Sequence, residues 1–527
     1  LIVVEFNNFE FTFRLAHLPS MLSLRCQAQN YGWGRPAETS EVAKLAQLNG
    51  SSIDDSQLYA ELWMGTHPNC PSMICATGSP LAQWIEAHPD CLGLKVQQRF
   101  GHSLPFLFKV LSVNKALSIQ SHPDKQLAEK LHAQHPKLYP DDNHKPEMAL
   151  AISDGFEALC SFRQPQAIAS QLRKTAPEVV QLLGQVTVEA LESPSTQQEP
   201  KEALRNAFSA LMTADPASIT SAIDAIVARL STQAASSSNG QGNDAAGLDP
   251  HESLVLRLNS QYPGGDVGVL ASLFLNRVSL NAGQAVYLAA NEPHAYLAGE
   301  IVEVMASSDN VVRAGLTPKF KDCDVLRNTL TYRPGFPEVL QGTSLPLAKT
   351  GYDGLHAGEN GVGTPAGVNG SAGEKGQGFR VSLYKPPFEE FEVLRVHVAG
   401  GSSGVLPPNK GPMIVLVQGG KGSMQASGGS VPKHLCGEEL QEHIDVSRGC
   451  VLFVPAGTQL NFASAPGVEP LLAWVSAVNS TFFQLHGAVH GAGSANPAAA
   501  GSAEASFVQG GVAAVPASKL QGSLMAN

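Results

Sequence analysis

At 527 residues the chain is too long for one ordinary core, and its length suits about three domains. A formal net charge of −11 and a pI near 5.8 argue against nucleic acid or an anionic membrane as the main partner, while leaving room for a local basic pocket that takes a small anion. Eight cysteines lie scattered, and Cys70 and Cys75 lack the second pair that a zinc ribbon needs, so free thiols in a reducing compartment are expected.

Residues 1–20, LIVVEFNNFEFTFRLAHLPS, share no pattern with the rest of the chain and are set apart as an extension of doubtful origin, with Met21 as a possible start. They lack the layout of a secretory signal, and no run of about 18 apolar residues occurs, so a soluble cytoplasmic chain is expected. From 21 to 163, short apolar runs such as LPFLFKVLSV and LSIQSHP, broken by Gly, Pro and Asn, predict strands, with SEVAKLAQL and DKQLAEKLHAQH as short helices. From 164 to 256, apolar residues three and four apart in QAIASQLRKTAPEVVQLLGQV, EALRNAFSALMT and ASITSAIDAIVARL predict a helical block inserted between β segments. Its Ser-, Gly- and Asn-rich end, 231–250, reads as a flexible linker. Strands resume over 257–350 in LASLFLNRVSL, AVYLAANEP and EIVEVMASS, and a Gly-rich loop comes next at 351–378. Strands at short, regular spacing over 379–485 suit a sandwich or small barrel, and 486–527 is a low-complexity tail.

In ALSIQSHPDK, Gln120 and His122 stand two apart on a predicted strand and share a face. With Glu147 in DDNHKPEMAL and His294 in AANEPHAYLAGE they make a mixed nitrogen and oxygen set that suits zinc or another first-row divalent ion. Spacing alone equally allows surface or satisfied core histidines. Lys145, two residues before Glu147, projects to the same side, where a nearby metal and partial burial would tune its ammonium toward a base; pairing with a carboxylate or a phosphate is the other reading. VQGGKGS at 417–423 lacks the spacing of a phosphate loop and reads as a glycine hairpin.

The longer runs LPFLFKVLSVNKALSIQSHPDK, YPDDNHKPEMALAI and NEPHAYLAGEIVEVMASSDNVVRAGLTPKF, with the early YGWG and LWMGTHP, resemble the signatures of type I mannose-6-phosphate (phosphomannose) isomerases. The resemblance covers 22–163 and 257–335 and continues more weakly through the C-terminal block. It implies a mainly β chain with two cupin-like β-barrel or jelly-roll domains and an α-helical domain. The implied activity is a zinc-dependent aldose-ketose isomerisation of mannose 6-phosphate and fructose 6-phosphate, serving mannose activation toward GDP-mannose or mannose catabolism.

Carried over by position, one zinc ion per chain falls on Gln120, His122, Glu147 and His294. Arg313 becomes the active-site arginine that holds a developing enediolate oxygen. Lys145, Glu303 and Tyr296 are the candidates for moving the proton between C1 and C2. Asp309 either orients Arg313, assists ring opening or merely makes an Asx-type turn at SSDN. Ser118, Lys109 and Lys319 form the expected phosphate set, Lys109 because a lone charge inside FLFKVL would be costly. Glu61 and Trp63 line the sugar pocket, although Trp63 suits a core equally well. Leu460 in RGCVLFVPAGTQLNF occupies the place of the histidine in the second cupin motif, so the C-terminal domain is expected to hold no metal. The expected partner is a small sugar phosphate, with no nucleic acid or membrane, and the chain is expected to be a monomer. The rival readings are a non-catalytic sugar-phosphate-binding cupin and a non-haem metal oxygenase, whose facial set also uses two His and one carboxylate.

Overall fold

The computed structural model describes residues 2–6, 9–13, 21–193, 199–237, 247–345, 378–428 and 440–485. A ten-stranded antiparallel sheet is organised by the long strand His294–Ala306. It pairs with Phe106–Val113 and with Phe156–Phe162, and also takes Glu147–Ala151 and Ile119–Ser121. Every residue of Phe106–Val113 and Glu147–Ala151 is buried, as expected of apolar runs covered on both faces of a sheet. The sequence reading places only EIVEVMASS on this strand; AVYLAANEP carries the separate strand Ala285–Leu288, and the first half of His294–Ala306, up to Gly299, escapes that reading. Gly299 takes φ +117°, and a Cβ there would stand 2.7 Å from Phe156 Cα.

Short helices are set by their caps. The Ser40 hydroxyl accepts from Ala43 N–H at the start of Glu41–Leu48, and Asp124 accepts from Leu127 N–H at the start of Lys125–Gln134. The inserted block consists of Pro165–Thr175, Pro177–Leu183, Gln185–Glu192, Glu199–Met212, Pro216–Ser237 and Pro250–Gln261. Proline at the first helical position loses no needed N–H, which suits the abrupt starts at Pro165, Pro177 and Pro250. The helices share an apolar core with Ile119, Leu159 and Phe162, so the insert backs the strand that carries Gln120. The linker expected from 231 begins later than its composition suggests. Helix Pro216–Ser237 runs into it, since Ala and Gln in STQAASS sustain a helix already begun.

The C-terminal strands form an eight-stranded and a four-stranded sheet facing each other across Val396, Val415, Leu460 and Phe462, a jelly-roll sandwich. One boundary needs correction: Leu22–Arg25 pairs with Val451–Val454, and Met73–Ile74 adds beyond it, so these early strands belong to the C-terminal sheet. Alternation identifies a strand but not a partner more than 400 residues away. VQGGKGS is the turn between Met413–Gly419 and Lys421–Gly428, with Gly420 at φ +77°. Leu460 is fully buried in the sandwich. Within the N-terminal extension, Ile2–Phe6 and Phe9–Phe13 pair antiparallel. The linker stretch 238–246, the Gly-rich stretch 351–377 and the tail 486–527 lie outside the described residues. Among the described residues no helix is long and apolar enough to cross a membrane.

Candidate metal centre and active site

Strand register assembles the centre. Gln120 stands opposite His294 on one side and opposite Arg313 on the other. His122 directly succeeds this strand, while Glu147 and His294 open theirs; all three are nearly fully buried. His122 Nδ1 lies 2.8 Å from the Asn310 carbonyl and His294 Nδ1 3.1 Å from the Glu292 carbonyl. A carbonyl can only accept, so each ring donates from Nδ1. Each Nε2 then turns a lone pair toward Glu147, at 3.3 Å from Oε1 for His122 and 3.4 Å from Oε2 for His294, and neither Nε2 has a hydrogen-bond partner. Burial pushes His122 down to about 4, so its ring is neutral. Three acceptors within 4.8 Å of one another, with no proton between them, form a set that a cation makes favourable. The Gln120 amide oxygen accepts from the Ser118 hydroxyl at 3.1 Å and keeps a second lone pair.

Lys145 Nζ lies 3.3 Å from Glu147 Oε1, as the two-residue spacing predicts. Burial opposes the Glu147 charge, but the Lys145 ammonium beside it helps hold the carboxyl well below its ordinary range. Beside this group lies a second one. Lys109 Nζ is 3.2 Å from Glu61 and 3.5 Å from Glu303, and sits 4.6 Å from the Trp63 ring centroid. Trp63 Nε1 donates to Glu61, so the residues expected to line a sugar pocket are tied to Lys109. Burial alone would lower Lys109, yet Glu61, Glu303 and Glu147 raise it above its ordinary value. Its charge is thus already compensated by carboxylates, which separates Lys109 from Ser118 and Lys319 in the expected phosphate set. Burial and the charge of Glu147 push Glu303 up to about 7, and burial with Glu303 raises buried Tyr296 well above the usual phenol range.

Asp309 does not orient Arg313. Its carboxylate lies 3.3 Å from His67 Nε2 and accepts from Asn69 Nδ2, and the turn at SSDN is fixed by Ser308, whose hydroxyl accepts from Asn310 N–H. The bond from His67 draws Asp309 below its usual carboxylate range. Arg313 is half-buried and faces Tyr139, with burial lowering it from its ordinary value. Lys319 is exposed.

Sequence reasoning missed the supporting residues. Asn310, fully buried, fixes His122 through its carbonyl and donates through Nδ2 to the carbonyls of Asp141 and Asn143. His144 reaches Glu390 at 2.5 Å and so anchors the segment that carries Lys145 and Glu147. His67 packs edge-on against Trp63 with centroids 4.9 Å apart. The dense polar runs DDNHK and SSDN, wedged between apolar strands, were the available signal for the first two.

A β-barrel with a buried His, Glu, His set and an adjoining lysine defines a metal-centre protein of the cupin type. Residues 21–165 match the family described as phosphomannose isomerase type I, catalytic domain, and residues 182–275 match its helical insertion domain. Mannose-6-phosphate isomerase 1 of Arabidopsis thaliana is 39% identical over 466 residues, covering 87% of this chain and 94% of the relative. The mannose-6-phosphate isomerase of Schizosaccharomyces pombe is 37% identical over 455 residues, covering 86% and 98%. A solved structure of mannose 6-phosphate isomerase bound with zinc and yttrium superposes with a TM-score of 0.63 at 27% identity, over 87% of this chain and all of that one. The chain belongs to the type I mannose-6-phosphate isomerase family.

Proposed function

We propose that the chain interconverts mannose 6-phosphate and fructose 6-phosphate with one zinc ion held by Gln120, His122, Glu147 and His294. The observation that carries this is the pair of buried imidazole lone pairs aimed at one carboxylate, with Lys145 on its other side. When bound, the ion stabilises negative charge that develops on the sugar oxygens during proton transfer between C1 and C2. Arg313, beside Gln120 in register, holds the same developing charge from a second direction. Lys145 and Glu303 carry the proton, Glu303 being suited by a carboxyl pushed up to about 7, and Tyr296 shields Glu303 from water.

Ser118, on the strand face of Gln120, and Lys319 meet the phosphate; Lys109 holds Glu61 and Glu303 at fixed distance and does not bind phosphate itself. Glu61 and Trp63 wall the pocket, and Asp309, held by His67, serves ring opening. On this reading the chain works as a cytoplasmic monomer. A coupled assay for fructose 6-phosphate, run before chelation, after it and with zinc restored, tests the proposal. Activity lost on chelation and regained with zinc is expected; a zinc-loaded protein without turnover refutes it.

A further inference from the structure

The C-terminal eight-stranded sheet carries cations that the isomerase reading leaves unused. Where Phe379–Tyr384 pairs with Glu392–Val398, Arg380 stands opposite His397 and Ser382 opposite Arg395. Opposed residues lie about 5 Å apart at Cβ and alternate residues share a face, so Arg380, His397 and Arg395 share one face with the Ser382 hydroxyl. Neither Arg380, Arg395 nor His397 forms an ion pair with a carboxylate among the described residues. Arg395 Nε and His397 Nδ1 are buried without a hydrogen-bond partner. Among the described residues this cluster therefore has no carboxylate counter-charge, and the Arg395 and His397 side chains find hydrogen-bond partners only in the Tyr384 hydroxyl and backbone.

The cluster is also held in place. The Arg395 guanidinium lies 5.5 Å from the Trp474 ring centroid and hydrogen-bonds to Tyr384, whose hydroxyl donates to the Gly283 carbonyl of the catalytic barrel at 2.6 Å. A Cβ at Gly283 would stand 2.6 Å from Arg395 Nη1, so the guanidinium rests directly on that turn. The nearby Asp154 is engaged elsewhere, accepting from Ala282 N–H. Leu472, opposite His397 in the next strand, lines a cavity of about 260 Å³ that also meets Ser153, Glu300, Gln418 and Arg448. Two guanidinium forks, an imidazole and a hydroxyl suit a tetrahedral oxyanion, and the cavity beside them, whose Glu41, Glu300 and Glu469 carboxylates and Gln418 amide can accept from hydroxyls, suits an uncharged hydroxylated remainder.

We infer that Arg380, Arg395, His397 and Ser382 form a second binding site, separate from the metal centre, for the phosphate group of a small phosphorylated polyol. Burial, Arg380 and Arg395 together hold the His397 imidazole below its ordinary value, which makes its ring resonance a reporter of a new anion nearby. In metal-loaded protein carrying labelled histidine, with the His397 signal assigned by its loss in His397→Gln, inorganic phosphate and glycerol 3-phosphate are titrated at ionic strength held constant with chloride. A saturable shift of His397 is expected, tighter for glycerol 3-phosphate. Arg380→Gln, an exposed change that leaves the fold and mannose 6-phosphate turnover intact, should weaken binding about tenfold, as loss of a charge-assisted hydrogen bond does. Arg395→Gln should do the same or more. A shift linear in salt and matched by chloride overturns the site, as does an unchanged midpoint in Arg380→Gln. Equal midpoints for the two probes overturn the polyol half of the assignment.

Discussion

Replacing Lys109 by Met tests the buried ion group that stands beside the metal centre. Lys109 is 6% exposed, with Glu61 3.2 Å and Glu303 3.5 Å from its ammonium. Methionine preserves most of the side-chain length but strands two buried carboxylates, and removing one partner of a buried ion group costs about 3–5 kcal/mol. The loss has a definite pH dependence. Glu303 already sits at about 7 through burial and Glu147, and without the Lys109 charge it rises further. A carboxyl raised above its unfolded value keeps a proton in the native state that the unfolded chain has released, so stability falls as pH rises through that window. The deficit of Lys109→Met is therefore largest at about pH 8 and shrinks toward about pH 5. Urea unfolding of metal-loaded protein, followed by tryptophan fluorescence at several pH values, measures it; adding Glu303→Gln should recover about half of the loss. A variant as stable as its parent at pH 8, or a deficit that pH does not change, refutes the reasoning. A higher KM with unchanged stability would return Lys109 to the phosphate.

Three further outcomes are expected. His122→Ala should lose bound metal, measured by atomic absorption, whereas Arg313→Ala should keep the metal and lose rate by about 100-fold; equal metal loss in both would overturn the division of roles. Gly299→Ala should lower the thermal midpoint, at a cost of about 3 kcal/mol, because alanine is strained at φ +117° and its Cβ meets Phe156; an unchanged midpoint contradicts this. Burial pushes Glu300 up to about 7 against the opposing effects of Ser112 and Arg35, so this one group should contribute a loss of about 3 kcal/mol as pH rises from 4.5 through 7. Glu300→Gln should make the stability curve shallower by that amount, Glu303 keeping its own share, and parallel curves for parent and variant would sink the assignment.

What the sequence revealed reflects the range of the forces involved. Two-residue spacing correctly set Lys145 beside Glu147 and put the Ser118 hydroxyl against the Gln120 amide, because alternation along an extended segment is a local property. The short helices predicted in SEVAKLAQL and DKQLAEKLHAQH were legible for the same reason, and the structure shows Ser40 and Asp124 as their caps. Lys109 was marked as needing a partner, but the partners were carboxylates on two other strands, and only tertiary packing chooses between carboxylate and phosphate. Asp309 shows the limit from the other side. Four residues from Arg313, it pairs with His67 instead, some 240 residues away, because the loop that carries it is turned by Ser308 and Asn310.

Strand parity explains how one element serves both groups in the site. His294 and Glu303 lie nine residues apart, an odd separation that would place them on opposite faces of a regular strand. Yet His294 meets Glu147, and Glu303 meets Lys109 and feels the charge of Glu147. The register supplies the missing residue: Glu157 pairs with Ala298 but its neighbour Ala158 pairs with Tyr296, so Leu297 is inserted as a bulge and parity reverses. Gly299 comes shortly after at a positive φ, packed on Phe156, and holds the distortion in place. An isolated glycine within a strand-like run was thus the sequence signal for a bulge. Because the bulge lies between His294 and Glu303, straightening it would turn one of them out of the barrel, which is why Gly299→Ala should reduce turnover beyond what its loss of stability explains.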